Sequence, residues 1–128
     1  MSNNIFLNAI WNGKIAVVKS EVEKGADVNC VDYETDGQPT ALILAVKAGR
    51  EEIARYLISK GANVNGKDRN GNTCLFNLDM CKNQGEMAKL LLENGADANI
   101  KNGFGNTALK FCGFEAAAIL KNAGAEVT

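Results

Sequence analysis

The segment TALILAVKAGREEIARYLISKGANVNGKD, residues 40–68, carries the fold prediction. Thr40 can act as an N-cap, because its hydroxyl accepts a hydrogen bond from a free amide of the first helical turn. The almost fully apolar run 41–48 predicts a short helix packed on two sides, and Gly49 ends it in the left-handed conformation that glycine adopts most easily. A second amphipathic helix follows and stops at Gly61. The Asn, Asp and Gly residues after it predict a hairpin-like loop.

The same pattern recurs along the chain at a spacing of about 33 residues. Helix starts led by threonine are 33 and 34 residues apart, at Thr40, Thr73 and Thr107. Segments that begin with Gly-Ala are 36, 34 and 29 residues apart, at Gly25, Gly61, Gly95 and Gly124. A unit of this length that repeats several times indicates a linear stack, in which each unit packs on its neighbours.

These motifs resemble the ankyrin repeat family over nearly the whole chain. The family pattern Asp-x-x-Gly-x-Thr-Pro-Leu-His is approached by DRNGNTCL from Asp68, and Gly-Ala-Asp-Val-Asn is matched by GADVN from Gly25. The runs EEIARYLISKGANVN and EMAKLLLENGADAN, the latter from Glu86, match the second helix and its loop. The resemblance implies an all-α repeat solenoid of helix-turn-helix units with β-hairpin-like loops. We expect one domain, 1–128, with units at about 1–31, 32–67, 68–101 and 102–128.

The helix starts depart from the family pattern at two positions. The family's proline is replaced by Ala41, Cys74 and Ala108, and its histidine by Ile43, Phe76 and Lys110. The hydrogen bonds made by the family's threonine and histidine must then be replaced, so we expect looser helix starts within the same fold.

The two end units are predicted to be atypical, because the outer faces of a linear stack meet water. The first unit begins near Asn4 without a Thr-x-Leu opening, and the first helix of the last unit is expected to span only Ala108–Cys112. Glu21 and Lys121 support this view, since the middle units carry leucine or isoleucine at the equivalent positions. We expect the sequence to be a complete small protein.

Composition excludes several function classes. A net charge of −1 provides no basic field for a phosphate backbone, so we expect no nucleic-acid binding. The absence of histidine excludes Ser–His and Cys–His nucleophile pairs and zinc sites that need imidazole. No carboxylate pair or glycine-rich loop fits a catalytic or phosphate site. We therefore expect no enzyme activity, no catalytic residue, no cofactor and no metal.

Several features bear on the compartment. No apolar run approaches the roughly 18–20 residues that cross a bilayer, and the first residues lack the features of a secretory signal, so we expect no membrane contact. The cysteines lack CxxC spacing and are interpreted as free thiols in a reducing cytosol, at Cys30, Cys74, Cys81 and Cys112. A disulfide or a metal site is the alternative. We expect a cytoplasmic protein.

The first candidate binding element is the loop at residues 31–37, here called the acidic finger. It carries Asp32, Tyr33, Glu34 and Asp36 and no basic residue. A tyrosine at a loop tip is a typical binding anchor, and the acids would suit a basic partner surface. The alternatives are a solvated insertion and, with less support from the spacing, a calcium loop.

Two further candidate groups lie on the inner helices and the later loop tips. Trp11, Lys47 and Met80 occupy equivalent positions before each turn, where the family faces its groove. Trp11 is either a binding hot spot or a lid over the thin first unit. The resemblance also implies contacts from Asp79 and from loop-tip residues, namely Arg69, Asn70, Asn72, Phe104 and Asn106. Phe76 is expected to be partly core, and Asp79 marks either a contact or a local distortion.

Ankyrin domains are, as a family, protein-binding modules, although a fold alone does not determine a function. We expect a small stand-alone inhibitor or adaptor, such as an immunity-type protein, that occupies one protein partner through the concave groove and the loop tips. It is expected to be a monomer when free. The alternative is an assembly factor or chaperone for a subunit of a larger complex, and a third hypothesis is a small-molecule or enzyme-like role.

Overall fold

The computed structural model describes residues 2–125, apart from the side chains of residues 2–4 and 80. Six α-helices and two 3-10 helices follow one another in this range. They are α1 (Ser2–Asn12), α2 (Ile15–Glu23), α3 (Ala41–Lys47), α4 (Glu51–Ser59), a 3-10 helix (Cys74–Met80), α5 (Gln84–Glu93), a 3-10 helix (Ala108–Lys110) and α6 (Phe114–Asn122). Consecutive elements pair as four helix-turn-helix units, which confirms the predicted all-α repeat solenoid. The four predicted unit limits remain a proposal.

The units stack in two layers with one continuous core. In the inner layer α1 contacts α3, α3 contacts the Cys74–Met80 helix, and that helix contacts Ala108–Lys110. In the outer layer α2 contacts α4, and α5 contacts α6. The stretch Ala41–Val46 of α3 is wholly buried, as predicted for an inner helix. The largest fully buried side chains come from both layers and from all four units, and include Phe6, Ile43, Leu57, Leu75, Met87 and Leu120.

The helix starts differ between units, and the looser starts predicted for all three occur at two of them. The Thr40 hydroxyl accepts a hydrogen bond from the Ile43 amide at 3.2 Å, and α3 is a regular α-helix. Neither Thr73 nor Thr107 makes such a bond, and each precedes a 3-10 helix. The Thr73 hydroxyl is buried without a hydrogen-bond partner among the described residues.

Two predictions about the end units need correction. The first helix of the last unit is a 3-10 helix of only three residues, Ala108–Lys110, and not Ala108–Cys112, because the chain turns at residues 111 and 112, whose amides both donate to the Ala108 carbonyl. Glu21 does not face open water, since only 12% of its side chain is exposed. It occupies the helical position that Leu57 fills in the second unit, and its carboxylate pairs with Lys24 at 3.5 Å. Lys121 is exposed, as predicted.

An asparagine ladder, formed by Asn29, Asn65 and Asn99, joins the loops after the outer helices. The Asn29 amide nitrogen donates to the Gly61 carbonyl at 3.2 Å, and its oxygen accepts from the backbone amide of residue 63 at 2.8 Å. Asn65 repeats both bonds one unit later, to the carbonyl of residue 95 at 3.1 Å and the amide of residue 97 at 2.8 Å. Asn99 donates to the carbonyl of residue 124 at 3.2 Å. Each loop is therefore held in register with the next.

The fingers before the inner helices are also stacked through backbone hydrogen bonds. The Arg69 amide donates to the Gly37 carbonyl, and the Gly103 amide donates to the Asn70 carbonyl, both at 2.8 Å. Gly71 makes the second contact possible. Its φ is +81°, and a Cβ there would lie 2.9 Å from the Gly103 nitrogen. The tips of the second, third and fourth units thus form one row.

Replacement of Leu57 by alanine should lower the free energy of unfolding by roughly 2–5 kcal/mol, because it leaves a cavity between packed helices. Leu57 is fully buried. The measurement is a urea unfolding curve. Val17→Ala is the control, since Val17 is 40% exposed on α2 and should shift stability by less than about 0.5 kcal/mol. An unchanged midpoint for Leu57→Ala would contradict its placement in the core.

Replacement of Asn65 by alanine should lower the free energy of unfolding by about 1 kcal/mol, because two inter-unit hydrogen bonds are lost at a partly exposed site. Asn70→Ala is the matched control, since the Asn70 side chain makes no hydrogen bond to a described residue. The two variants are compared by thermal unfolding. Equal stability of both variants would show that the asparagine ladder does not hold the units together.

Candidate protein-binding groove

The inner helices and the stacked fingers enclose two hollows on one side of the stack. The N-terminal hollow has a volume of about 240 Å³ and is lined by Leu7, Asn8, Trp11, Asp32, Thr35, Leu44 and Lys47. An adjoining space of about 300 Å³ shares four of these residues and extends along the acidic finger to Glu34. In the N-terminal hollow, apolar side chains from α1 and α3 form the walls, and the acidic finger forms the rim.

The acidic finger is held by its own hydrogen bonds. The Asp32 amide donates to the Pro39 carbonyl at 2.8 Å. One Asp32 carboxylate oxygen accepts from the Glu34 amide at 3.1 Å, and the other accepts from the Thr35 hydroxyl at 2.5 Å. No carboxylate of the finger forms an ion pair with a described residue. The two ion pairs within residues 2–125 are Lys24–Glu21 and Arg55–Glu51, and both lie outside the finger. The finger therefore presents an ordered and unneutralised negative surface.

Trp11 has a fixed backbone and an exposed ring. Its carbonyl accepts two hydrogen bonds from the Arg50 guanidinium, at 3.2 and 3.1 Å, which tie the first turn to the second unit. The side chain is 49% exposed, while Phe6 and Ile10 beneath it on the same helix are fully buried. Half of the largest aromatic surface in the chain therefore stays open to a partner. Whether Trp11 is a binding hot spot or a lid over the first unit stays a prediction.

The C-terminal hollow is larger, about 590 Å³, and its lining is rich in amides and aromatic rings. It is lined by Asn70, Asn72, Phe76, Asn77, Asp79, Asn102, Phe104, Asn106, Lys110 and Phe111. The Phe76 and Phe111 rings lie with their centroids 6.0 Å apart and tilted by 43°. The Asn102 side chain donates to the Asn72 carboxamide oxygen at 2.8 Å. The two hollows thus differ in chemistry.

A family profile for ankyrin repeats, in three copies, matches residues 6–102. The chain belongs to the ankyrin repeat family. It is 37% identical over 73 residues to the mouse (Mus musculus) M-phase phosphoprotein 8, a match that covers 57% of this chain and 8% of that protein. It is 31% identical over 75 residues to the phosphocholine transferase AnkX of Legionella pneumophila, a match that covers 59% of this chain and 8% of that protein. It is 34% identical over 70 residues to the Drosophila melanogaster ankyrin repeat and KH domain-containing protein mask, a match that covers 55% of this chain and 2% of that protein.

The chain spans less than a tenth of these curated relatives. What they share with it is the ankyrin repeat region, and ankyrin repeats are protein-binding modules. The fourth helix pair, Ala108–Lys110 with α6, lies beyond the matched range. Within residues 2–125, every helix is too short or too polar to cross a membrane.

The structure divides the predicted contact residues of this ankyrin domain into three groups. The N-terminal hollow and the space adjoining it contain Trp11, Asp32, Glu34 and Lys47. The C-terminal hollow contains Asn70, Asn72, Asp79, Phe104 and Asn106. Neither hollow includes Tyr33, Asp36 or Arg69, which are exposed on the finger tips. The Met80 side chain lies outside the described residues. Phe76 is buried, as expected, while Asp79 is exposed and also lies in an irregular element.

Sequence analysis missed two exposed phenylalanines of the last unit. Phe111 lines the C-terminal hollow, and Phe114, at the start of α6, is 95% exposed. Both follow the shortened Ala108–Lys110 helix, which was predicted to be longer and to include Phe111. Counting back from the unit's final glycine places Phe114 at the position of Glu51, the first residue of α4, and this comparison puts Phe114 at a helix start outside the apolar stripe.

The cysteines are buried or half-buried free thiols. Burial raises the pKa of Cys30 and of Cys81 to about 11, and the pKa of Cys74 to about 12. Burial also raises the pKa of Cys112. These thiols are protonated at neutral pH, which is the unreactive form. Among the described residues, no three Cys, Asp or Glu side chains converge in a way that could hold a metal ion.

The raised thiol pKa values predict a loss of stability at high pH. Unfolded thiols lose their protons near pH 9, whereas folded Cys30 does so near pH 11, so alkali favours the unfolded state across that window. The free energy of unfolding should fall between these pH values. The fall should be smaller in Cys30→Ala, which lacks this thiol. Parallel pH profiles for the two proteins would contradict the assigned burial of the Cys30 thiol.

Proposed function

We propose that this ankyrin domain acts by occupancy. It binds one protein partner through the groove and the finger tips and blocks that partner's surface, as a small inhibitor or adaptor of the immunity type. The observation that carries the proposal is the exposure of three large aromatic side chains on the inner helices and the finger tips. Trp11 is 49% exposed, Tyr33 73% and Phe104 78%, and each lies at an inner helix or a finger tip.

The chemistry of these anchors suits protein recognition. Tryptophan and tyrosine dominate measured binding hot spots, because they bury a large area at a small cost in rotamer entropy. The hollows beside them supply polar groups around apolar walls, which is the usual composition of a recognition surface. Blocking a partner requires one such surface, whereas bridging two partners requires two. Both hollows are lined by the inner helices and the fingers, and a single surface of this kind supports blocking.

The proposal includes no reaction. Every cysteine is protonated at neutral pH, and the groove's acidic residues lie on an exposed rim and not in an apolar pocket that would tune them for proton transfer. The domain is proposed to work without cofactor, metal, membrane or nucleic acid, and as a monomer when free. The free thiols support a reducing compartment, and we place the protein in the cytoplasm.

Affinity purification from the source cells, followed by mass spectrometry and an activity assay, tests the proposal. A stable one-to-one complex with an enzyme, together with loss of that enzyme's activity, is the expected result. Recovery of a partner only as an unassembled subunit would instead support the assembly-factor alternative. Turnover of a substrate by the pure chain would overturn the proposal of action by occupancy alone.

Replacement of Trp11 or Tyr33 by alanine should weaken binding of the recovered partner by about 2 kcal/mol or more, as for a hot spot. The melting temperature should change little, because both side chains are exposed. Val17→Ala is the control, since it removes a partly exposed apolar side chain from the outer layer. Unchanged affinity and a lower melting temperature for Trp11→Ala would show that Trp11 is a lid.

A further inference from the structure

We propose that the N-terminal hollow binds a lysine or arginine side chain, carried beside an apolar residue on a segment of the partner protein. This inference rests on the proposed function, because it names the chemistry of the partner that the groove accepts. It assigns a role to Asp32 and Trp11 that neither the fold nor the stacking of units requires.

The walls of the hollow suit the stem of a long basic side chain. Leu7 and Leu44, which are 6% and 5% exposed, form the floor of the hollow from α1 and α3, and the half-exposed Trp11 ring supplies its open apolar wall. Lysine and arginine bury their methylene stems along such surfaces while the charged head remains at a polar rim. Tryptophan is also the aromatic side chain that attracts a cation most strongly.

The rim of the hollow carries the complementary charge. Asp32 and Glu34 line the hollow and its extension, and neither forms an ion pair with a described residue. Lys47 is the cation among the lining residues of the hollow, and it too is outside the two ion pairs of the described chain. The net charge of these three groups is negative, and Asp36 adds a further negative charge to the finger. An acidic partner segment would be repelled here, whereas a basic one is attracted.

The groups that would hold the cation are already ordered. The Asp32 carboxylate is oriented by the Glu34 amide and the Thr35 hydroxyl, and each oxygen retains a free lone pair. The Trp11 backbone is held by Arg50. Because these groups need little reorganisation, binding does not lose the free energy that ordering a flexible loop would cost.

The C-terminal hollow contains one carboxylate, Asp79, and one ammonium, Lys110, among amides and phenyl rings. The N-terminal hollow is likewise lined by one of each, Asp32 and Lys47, but the space adjoining it is lined by Asp32 and Glu34 without a basic residue, and this gives that end its excess of negative charge. Lys110 donates to the Asn106 carboxamide oxygen at 3.3 Å. The amide-rich lining suits a neutral segment, so the preference for a basic side chain is assigned to the N-terminal hollow alone.

Selection of random 12-residue peptides displayed on phage against the full chain tests the class of occupant. The enriched sequences should contain lysine or arginine next to an apolar residue. Asp32→Asn should abolish that preference, while Phe104→Ala, in the other hollow, should retain it. Enrichment of peptides without a basic residue, or no enrichment by the wild-type chain, would overturn the inference.

A binding titration with the best selected peptide locates the contact, and Trp11, the sole tryptophan, provides a fluorescence signal. Replacement of the peptide's key basic residue by uncharged norleucine should weaken binding by about tenfold, and Asp32→Asn should weaken it by a similar factor. Asp36→Asn is the matched control. It removes the same charge from the same finger outside the hollow, and should weaken binding by less than about threefold.

Equal losses for Asp32→Asn and Asp36→Asn would overturn the inference, because they would indicate attraction to the whole finger and not a contact in the hollow. If Asp32→Asn fails to fold by circular dichroism, Trp11→Leu, followed by calorimetry, replaces it and should lose severalfold in affinity. The proposed function is tested separately by the activity of the recovered enzyme. Peptides that bind without basic residues would refute the cation site and leave action by occupancy intact.

Discussion

The hydrogen bonds of one asparagine in each of the first three units hold each loop of this protein to the next. Asn29 and Asn65 each satisfy a carbonyl and an amide of the following unit, so the loops cannot slide by one residue without leaving backbone groups unpaired. The fingers on the other side add direct backbone bonds at 2.8 Å. Stacking in register is therefore imposed from two sides, and the apolar inner and outer helices fill the space between them.

Register determines what the surface can present. Once the units are aligned, equivalent positions form rows, and the side chains in a row decide the chemistry of the groove. The first two units place an indole beside carboxylates, whereas the last two place phenyl rings among amides. A common scaffold thus carries two unlike hollows, which is how a repeat fold acquires a specific partner without a change of architecture.

Small changes in capping alter this surface from unit to unit. Thr40 caps a regular helix, while Thr73 and Thr107 do not cap and are followed by 3-10 helices. The inner layer is consequently irregular in its C-terminal half, where the larger hollow lies. The exposed Phe111 and Phe114 belong to the same half. The two uncapped helix starts are therefore accompanied by a wider and more aromatic contact surface than the capped one.

The sequence alone determined the repeat, because apolar periodicity, threonine starts and glycine stops are local properties that recur at a regular step. It also predicted that Trp11 and Phe104 contact a partner, because a tryptophan is costly to leave in water and a phenylalanine between two glycines is hard to bury in a tight turn. Only the tertiary structure decided which candidates share a hollow. Asp32 and Trp11 line the same hollow although about 20 residues of chain separate them, and Tyr33, next to Asp32 in the sequence, lines neither hollow, because proximity depends on how units stack. The burial of Glu21 and the exposure of Phe114 were likewise decided by packing, which no single segment encodes.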